Sequence, residues 1–313
     1  MDRTGPRLGL LILAAGLIAA AAPRALPIHA AQWLAPEGRL KALSEQPVEC
    51  AKPPISTADR TSFEIGRTAF RTPTLLGGQA ARAGLSCESC HGNGRRNAAF
   101  LFPGLSDARG TADVTSSLMS SHRGNGSFDP RPIPDLAFPA KVSRDPDDPA
   151  LERFIRGLIV EEFDGAEPEP RILHGLAVYV RSIAARGCPT GKTEPVRLRA
   201  AIANVRRAAE AAGTALALGD GRSAHLLLSG ARAMLGRIDE RFALSGMAAE
   251  RAGLAAADAG LRDIQRAVER DPKEAASLLS AWEARISGWS RPLLRGEGRS
   301  LYARRRLAEA LRR

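Results

Sequence analysis

The chain of 313 residues is poor in aromatic side chains, which make up only 4% of it. A β-rich core draws on aromatic and β-branched residues, so this scarcity argues against one. Ala and Leu carry much of the apolar content, which points to helices. Lysine is nearly absent: 5 of the 45 basic residues are Lys and the rest are Arg. Basic residues become denser toward the C-terminus while acidic ones do not. Residues 31–188 hold 19 basic and 19 acidic groups, whereas residues 189–313 hold 23 and 14. So different a balance suggests two segments of separate character. The basic one could meet an acidic partner or anionic lipid headgroups, or be only a solvated Arg-rich surface. No basic patch is interleaved with aromatics, which argues against nucleic acid. Beyond the first residues, no stretch approaches 18 apolar positions, so no membrane span is expected in the body of the chain.

The N-terminus reads differently. Arg3 and Arg7 precede a short apolar run from Leu8 to Ala22, and small residues follow, with Ala30 as a suitable last residue before cleavage. This is the pattern of a secretory signal peptide spanning residues 1–30, although an uncleaved N-terminal anchor stays open. Export would place the protein in the periplasm, an oxidising compartment.

Cysteine is scarce too, at four residues, and two of them stand in the stretch SCESCHG as Cys87 and Cys90, directly followed by His91. A structural zinc site asks for four ligands, usually from two such pairs, and the remaining cysteines, Cys50 and Cys188, are isolated. A thioredoxin-type redox pair asks for a βαβ context that the pattern does not offer. A plain Cys87–Cys90 disulfide leaves the histidine without a role. C-x-x-C-H uses all three residues: two thiols form thioether links to the vinyl groups of a haem, and the adjacent histidine supplies the proximal iron nitrogen. The expected cofactor is therefore one covalently attached haem c on Cys87, Cys90 and His91. Cys50 and Cys188 bracket this segment, and an even cysteine count after export favours a disulfide between them, though a free thiol or an intermolecular bridge stays open. In the chain-entropy model so long a loop contributes on the order of 5 kcal/mol at most.

Around the motif, Phe63, Gly66 and Phe70 share one face of a helix over Thr61–Phe70. Residues 103–140 are rich in Pro and Gly and read as a long loop, of a length that is usually functional. Asp148 and Pro149 then open a helix with the apolar stripe Leu151, Phe154, Ile155, Leu158 and Ile159. A second helix over 169–186 places Ile172, Leu173, Leu176, Val180 and Ile183 inward, with Tyr179 beside the stripe and Gly187 as C-cap. After residue 190, helices are expected at 195–218, 222–243, 246–270, 272–288 and 299–312. These form an antiparallel bundle in which Asp271-Pro272 is an N-cap pair. His225 stands alone there, and no grouping in the bundle carries chemistry.

Phe63-x-x-Gly66-x-x-x-Phe70 ahead of C-x-x-C-H, followed by ILHGLAVYVRSI, resembles the first and last helices of a class I c-type cytochrome domain. The wider stretch over about residues 55–188 resembles the cytochrome c peroxidase and MauG-type group. The resemblance implies an all-α fold, with a cytochrome c-like haem domain over 31–190 followed by an α-helical bundle over 191–313. It implies that the two helices cross at a small residue and an aromatic. It departs from that group in carrying one haem motif rather than two, and in lacking a methionine between Asp145 and Gly187.

The sixth iron ligand is normally Met or His. Met119 and His122, in SLMSSHRGNG, are the candidates in the long loop, and an open iron is the third choice. His174 reads as a surface residue. Arg95, Arg96 and Arg123 could pair with haem propionates. Three functions follow. The simplest is one-electron transfer with a periplasmic redox partner of acidic character, without catalysis. The alternatives are a peroxidase-like enzyme with His122 as its acid–base group, and a haem-based sensor with the bundle as output.

Overall fold

The computed structural model describes residues 26–312 apart from 117, 123, 139–142 and 185–190. The N-terminal run to residue 25, Arg123, Gly187 and Cys188 therefore lie outside the described residues. The chain is mostly helical, with two small two-stranded ladders. No helix among the described residues is long and apolar enough to cross a membrane.

Residues 26–30, expected to leave with the signal, are part of the fold. Ile28 is buried, and the backbone N–H of His29 donates to Glu240 at 3.1 Å. A 3-10 turn over His29–Trp33 follows, and the chain then runs beside residues 99–101, with Ala35 and Leu101 donating to Ala99 and Trp33. Next come α1 (Arg39–Ser44) and strand β1 (Glu45–Pro47).

Helix α2 (Thr57–Ala69) starts at Ser56, whose hydroxyl accepts from the Asp59 N–H at 3.1 Å. Short helices α3 (Gly78–Arg82) and α4 (Cys87–Cys90) lead into the long loop. Among the described residues, that loop forms the ladder of β2 (Thr111–Ala112) with β3 (Arg131–Pro132). Helix α5 (Ala150–Gly157) runs on into a wider π-type turn over Leu158–Glu162. It buries Leu151, Ile155 and Ile159 but leaves Phe154 exposed. The expected stripe was too broad because Phe154 lies a full turn-quarter off the line through 151, 155 and 159.

Helix α6 (Pro170–Ser182) packs extensively across α2. Glycine makes this possible. A Cβ on Gly66 would lie 1.8 Å from the Gly175 carbonyl oxygen, so the two backbones touch where side chains would otherwise stand. Tyr179, expected beside the apolar stripe, is fully buried at this crossing. Its ring meets Phe63 at 5.6 Å and Phe70 at 5.1 Å in edge-on contact.

Strand β4 (Thr193–Pro195) pairs antiparallel with β1 and ties the end of the first segment to its start. Helices α7 (Leu198–Ala217), α8 (Gly221–Arg241), α9 (Ala248–Arg270) and α10 (Pro272–Ala284) follow, with α10 returning to pack on α7. Their short connections make sequence neighbours antiparallel. Asp271 caps α10 as expected, accepting from Lys273 at 2.9 Å and Glu274 at 3.3 Å. Helix α11 (Ile286–Gly296) was not foreseen, because Pro292 lies inside it and lacks the N–H for that turn. Helix α12 (Arg304–Leu311) ends the chain against α1.

One apolar core runs through both segments. Helix α8 comes close to the end of α2 because Gly230 has no side chain: a Cβ there would lie 2.3 Å from Thr72 Oγ1.

Candidate functional site

The C-x-x-C-H stretch forms a single helical turn and an abrupt exit. Ser89 Oγ accepts from the Ser86 N–H at 3.1 Å, and the His91 N–H closes the turn on the Cys87 carbonyl at 2.9 Å. Asn93 and Gly94 then take positive φ of 51° and 77°, which reverses the chain. Gly94 could not be replaced cheaply, since its φ of 77° is one that a residue with a Cβ rarely adopts. Asn97 fixes the far side, donating from its amide to the Ser89 carbonyl at 2.8 Å.

Cys87 and Cys90 are three residues apart on this turn, so they project to the same side. Both are free thiols, half-buried against the apolar core. Burial pushes each thiol up to about 12, so both are uncharged at neutral pH. His91 is also half-buried, and burial pushes its imidazole down to about 4. Its Nδ1 lies 3.1 Å from the Pro134 carbonyl oxygen. A carbonyl only accepts, so Nδ1 carries the proton and Nε2 keeps its lone pair. Two uncharged thiols and an imidazole presenting Nε2 are the donor set that covalent haem attachment requires. The residues present fit that group.

Cys50 is held in a disulfide. Its expected partner, Cys188, lies outside the described residues, so that pairing remains an expectation.

The two candidate distal residues are placed differently. Met119 is buried in the apolar core against which Cys87 and Cys90 also pack. The His122 side chain is 62% exposed and lies 3.7 Å from the Asp164 carboxylate. Ser120 and Ser121 pin this part of the loop to the end of the π-type turn, through the Glu161 carbonyl and the Asp164 carboxylate. His174 is on the surface as expected, 3.1 Å from Glu152. Arg95, a candidate partner for propionate, instead holds Asp135 at 2.8 Å.

Sequence reasoning missed a set of buried charges behind α4. Arg71 is 3% exposed and lies 3.1 Å from Glu49 and 3.4 Å from Glu88, the residue between the motif cysteines. Arg67 joins Glu49 at 2.6 Å, and the Tyr179 hydroxyl donates to Glu49 at 2.9 Å. Burial alone would raise the Glu49 carboxyl, but Arg71 and Arg67 outweigh it and hold the group at about 2. Arg67 and Arg71 stand one turn apart in an otherwise apolar stretch, and that spacing was the available signal. The network borders a small polar cavity of about 130 Å³ between the segments, which Asn204, Met234 and Arg237 line from the bundle side.

No family model, no curated protein and no solved structure matches the chain.

Proposed function

We propose that the protein is an exported mono-haem c-type cytochrome that exchanges single electrons with a redox partner. The observation that carries this reading is the arrangement of Cys87, Cys90 and His91: two free thiols on one helical turn, then an imidazole held at Nδ1 by the Pro134 carbonyl. A disulfide or thioredoxin-type reading has no use for an imidazole fixed in this tautomer. The crossing of α2 and α6 at Gly66 and Gly175, with Phe63, Phe70 and Tyr179 around it, supports the likeness to class I cytochrome domains.

Haem bound at this site would supply a one-electron redox centre at its iron. Cys87 and Cys90 would anchor it, and His91 Nε2 would hold the metal from one side. Met119 rather than His122 would be the second iron ligand, since Met119 is buried while His122 turns to solvent. The same exposure of His122 weighs against the peroxidase-like alternative, which needs an acid–base group in a sheltered distal site. The surplus of basic residues in the bundle suits an acidic partner.

The test is maturation in a host that attaches haem c, followed by denaturing electrophoresis with haem staining and visible spectroscopy. Wild type should carry one covalent haem, Cys87→Ala and Cys90→Ala should each weaken attachment, and His91→Ala should lose the native spectrum. Methionine ligation should give a weak band near roughly 695 nm in the oxidised protein, absent in Met119→Ala and kept in His122→Ala. A wild-type chain without covalent haem would overturn the reading.

A further inference from the structure

The segment that meets His91 has no regular structure, yet its neighbours are held one after another. The Ile133 N–H donates to the Gly110 carbonyl at 2.9 Å, and the Leu136 N–H to the Gly94 carbonyl at 3.2 Å. Between them, Asp135 takes the Arg95 Nε–H across both carboxylate oxygens at 2.8 Å and accepts from the Ala137 N–H at 2.9 Å. The last hold comes from further along the chain. Arg144 donates through Nη2 to the Leu136 carbonyl, and through Nη1 to the carbonyls of Val180 and Ile183.

Val180 lies in the last turn of α6 and Ile183 caps it, where a cation is favourable; the Val180 carbonyl also accepts from the Ile183 N–H at 3.2 Å. One planar guanidinium therefore ties the last turn of α6 to the residue two places beyond Pro134. Arg144 is half-buried, and among the described residues no carboxylate lies within ion-pair distance of it. Three backbone carbonyls meet its desolvation instead, an arrangement that a surface arginine does not adopt. Among the described residues its hydrogen bonds go to this segment and to the end of α6.

We propose that Arg144 is a positioning residue for His91: it fixes the 134–136 segment so that the Pro134 carbonyl stays on Nδ1 and the imidazole keeps one orientation and one tautomer. The proposal rests on the haem reading for its redox consequence but not for its geometry. A firm Nδ1–H···O bond makes a ligating imidazole more basic and favours ferric iron. Loosening the segment should therefore raise the reduction potential. Removing the positive charge alone should lower it, because a nearby cation disfavours the oxidised form. The two roles thus predict opposite signs.

Arg144→Lys separates them, since an ammonium keeps the charge but cannot reproduce a planar fork across three carbonyls. Two measurements apply: the reduction potential of the haem-loaded protein, and the solvent-exchange rate of the His91 Nδ1–H by NMR in both ferrous and haem-free protein. In Arg144→Lys we expect a higher potential and ring-proton exchange faster by about tenfold, the opening that loss of one hydrogen bond permits. A potential and an exchange rate equal to wild type would overturn the proposal, even if the melting temperature fell. Should Arg144→Lys not fold, Arg95→Lys keeps its charge and releases Asp135 from the same segment, and the same two changes are required of it. If wild type carries no haem, the haem reading fails on its own, and exchange in the haem-free chain still decides the role of Arg144.

Discussion

Gly66→Ala is the substitution on which the packing of the first segment can be judged. The added carbon would lie 1.8 Å from the Gly175 carbonyl oxygen and 2.1 Å from the carbonyl carbon. Carbon and oxygen tolerate about 3.3 Å between them, so α2 and α6 must part by roughly 1.5 Å. The obstacle is backbone, so no side chain can rotate aside. Overpacking of a tight core costs about 1–3 kcal/mol, and here the separation also opens the contacts of Tyr179 with Phe63 and Phe70. The expected loss is about 3 kcal/mol or more, near half the stability of an ordinary domain. Gly236 on α8 is the control, since it is exposed, helical and has nothing within 4 Å of an added Cβ. Gly236→Ala should stabilise by about 0.5–1 kcal/mol through helix propensity alone. Urea unfolding of the two variants and wild type, fitted with a common slope, reads both values. A Gly66→Ala protein within about 0.5 kcal/mol of wild type would refute the close crossing.

Three further outcomes are expected. Glu49 is held at about 2 against an ordinary value of 4.5, so its contribution is full above pH 4.5 and fades as pH falls toward 2. That contribution is about 3 kcal/mol, and Glu49→Gln should flatten the acid limb of a stability–pH curve; an unchanged limb would count against the Arg71 and Arg67 pairing. A chain begun at Ala31 lacks the buried Ile28 and should be less stable by about 2–4 kcal/mol than one begun before Leu26, so N-terminal sequencing of exported protein should find the cut ahead of Ile28. In the haem-free chain, tryptophan fluorescence from Trp282 and Trp289, read in a Trp33→Phe background, should lose its native signal at the same urea concentration at which the Cys87 and Cys90 thiols become open to labelling; two separate transitions would mean that the bundle and the first segment unfold independently.

What could be read from the sequence follows the range of the forces involved. The motif is local, and its three residues fall on one turn and its exit with no long-range help. The bundle helices were legible because Gly and Asp-Pro breaks act within a turn, and Asp271 caps α10 as its type requires. Helix α11 was hidden because local chemistry at Pro292 opposes helix, and tertiary packing of Ile286 and Leu293 overrides it. The burial of Tyr179 was hidden for a related reason: periodicity finds a stripe of aliphatic residues, but the closest approach on α6 is set by Gly175, and the ring beside that glycine becomes central. The fold membership of residues 26–30 was invisible because small residues suit a cleavage site and a buried turn equally. Arg144 had no local signal at all, since each of its three acceptors is a backbone carbonyl at least eight residues away.

The buried charges give the bundle a reason to sit where it does. Helix α2 meets α6 at its glycine, and Arg67 with Arg71, just past the end of α2, stand beside that crossing, where Arg71 lies over the Tyr179 ring. Both would be stranded there without partners. Glu49 and Glu88 approach them from the first segment. The bundle completes the set: Asn204 on α7 accepts from Arg67 at 3.0 Å, and Arg237 on α8 donates to the Arg71 carbonyl at 3.0 Å. Glu88 stands between the two motif cysteines, so a chain of close polar contacts runs from the candidate haem anchor through Arg71 to α8. A polar seam of this kind is specific in register and expensive to expose, because each charge left unpaired loses more than its bond returns. The bundle is therefore held against the back of the motif by groups that contact Glu88 within it, and the Gly230 contact with Thr72 brings α8 near enough for them to meet.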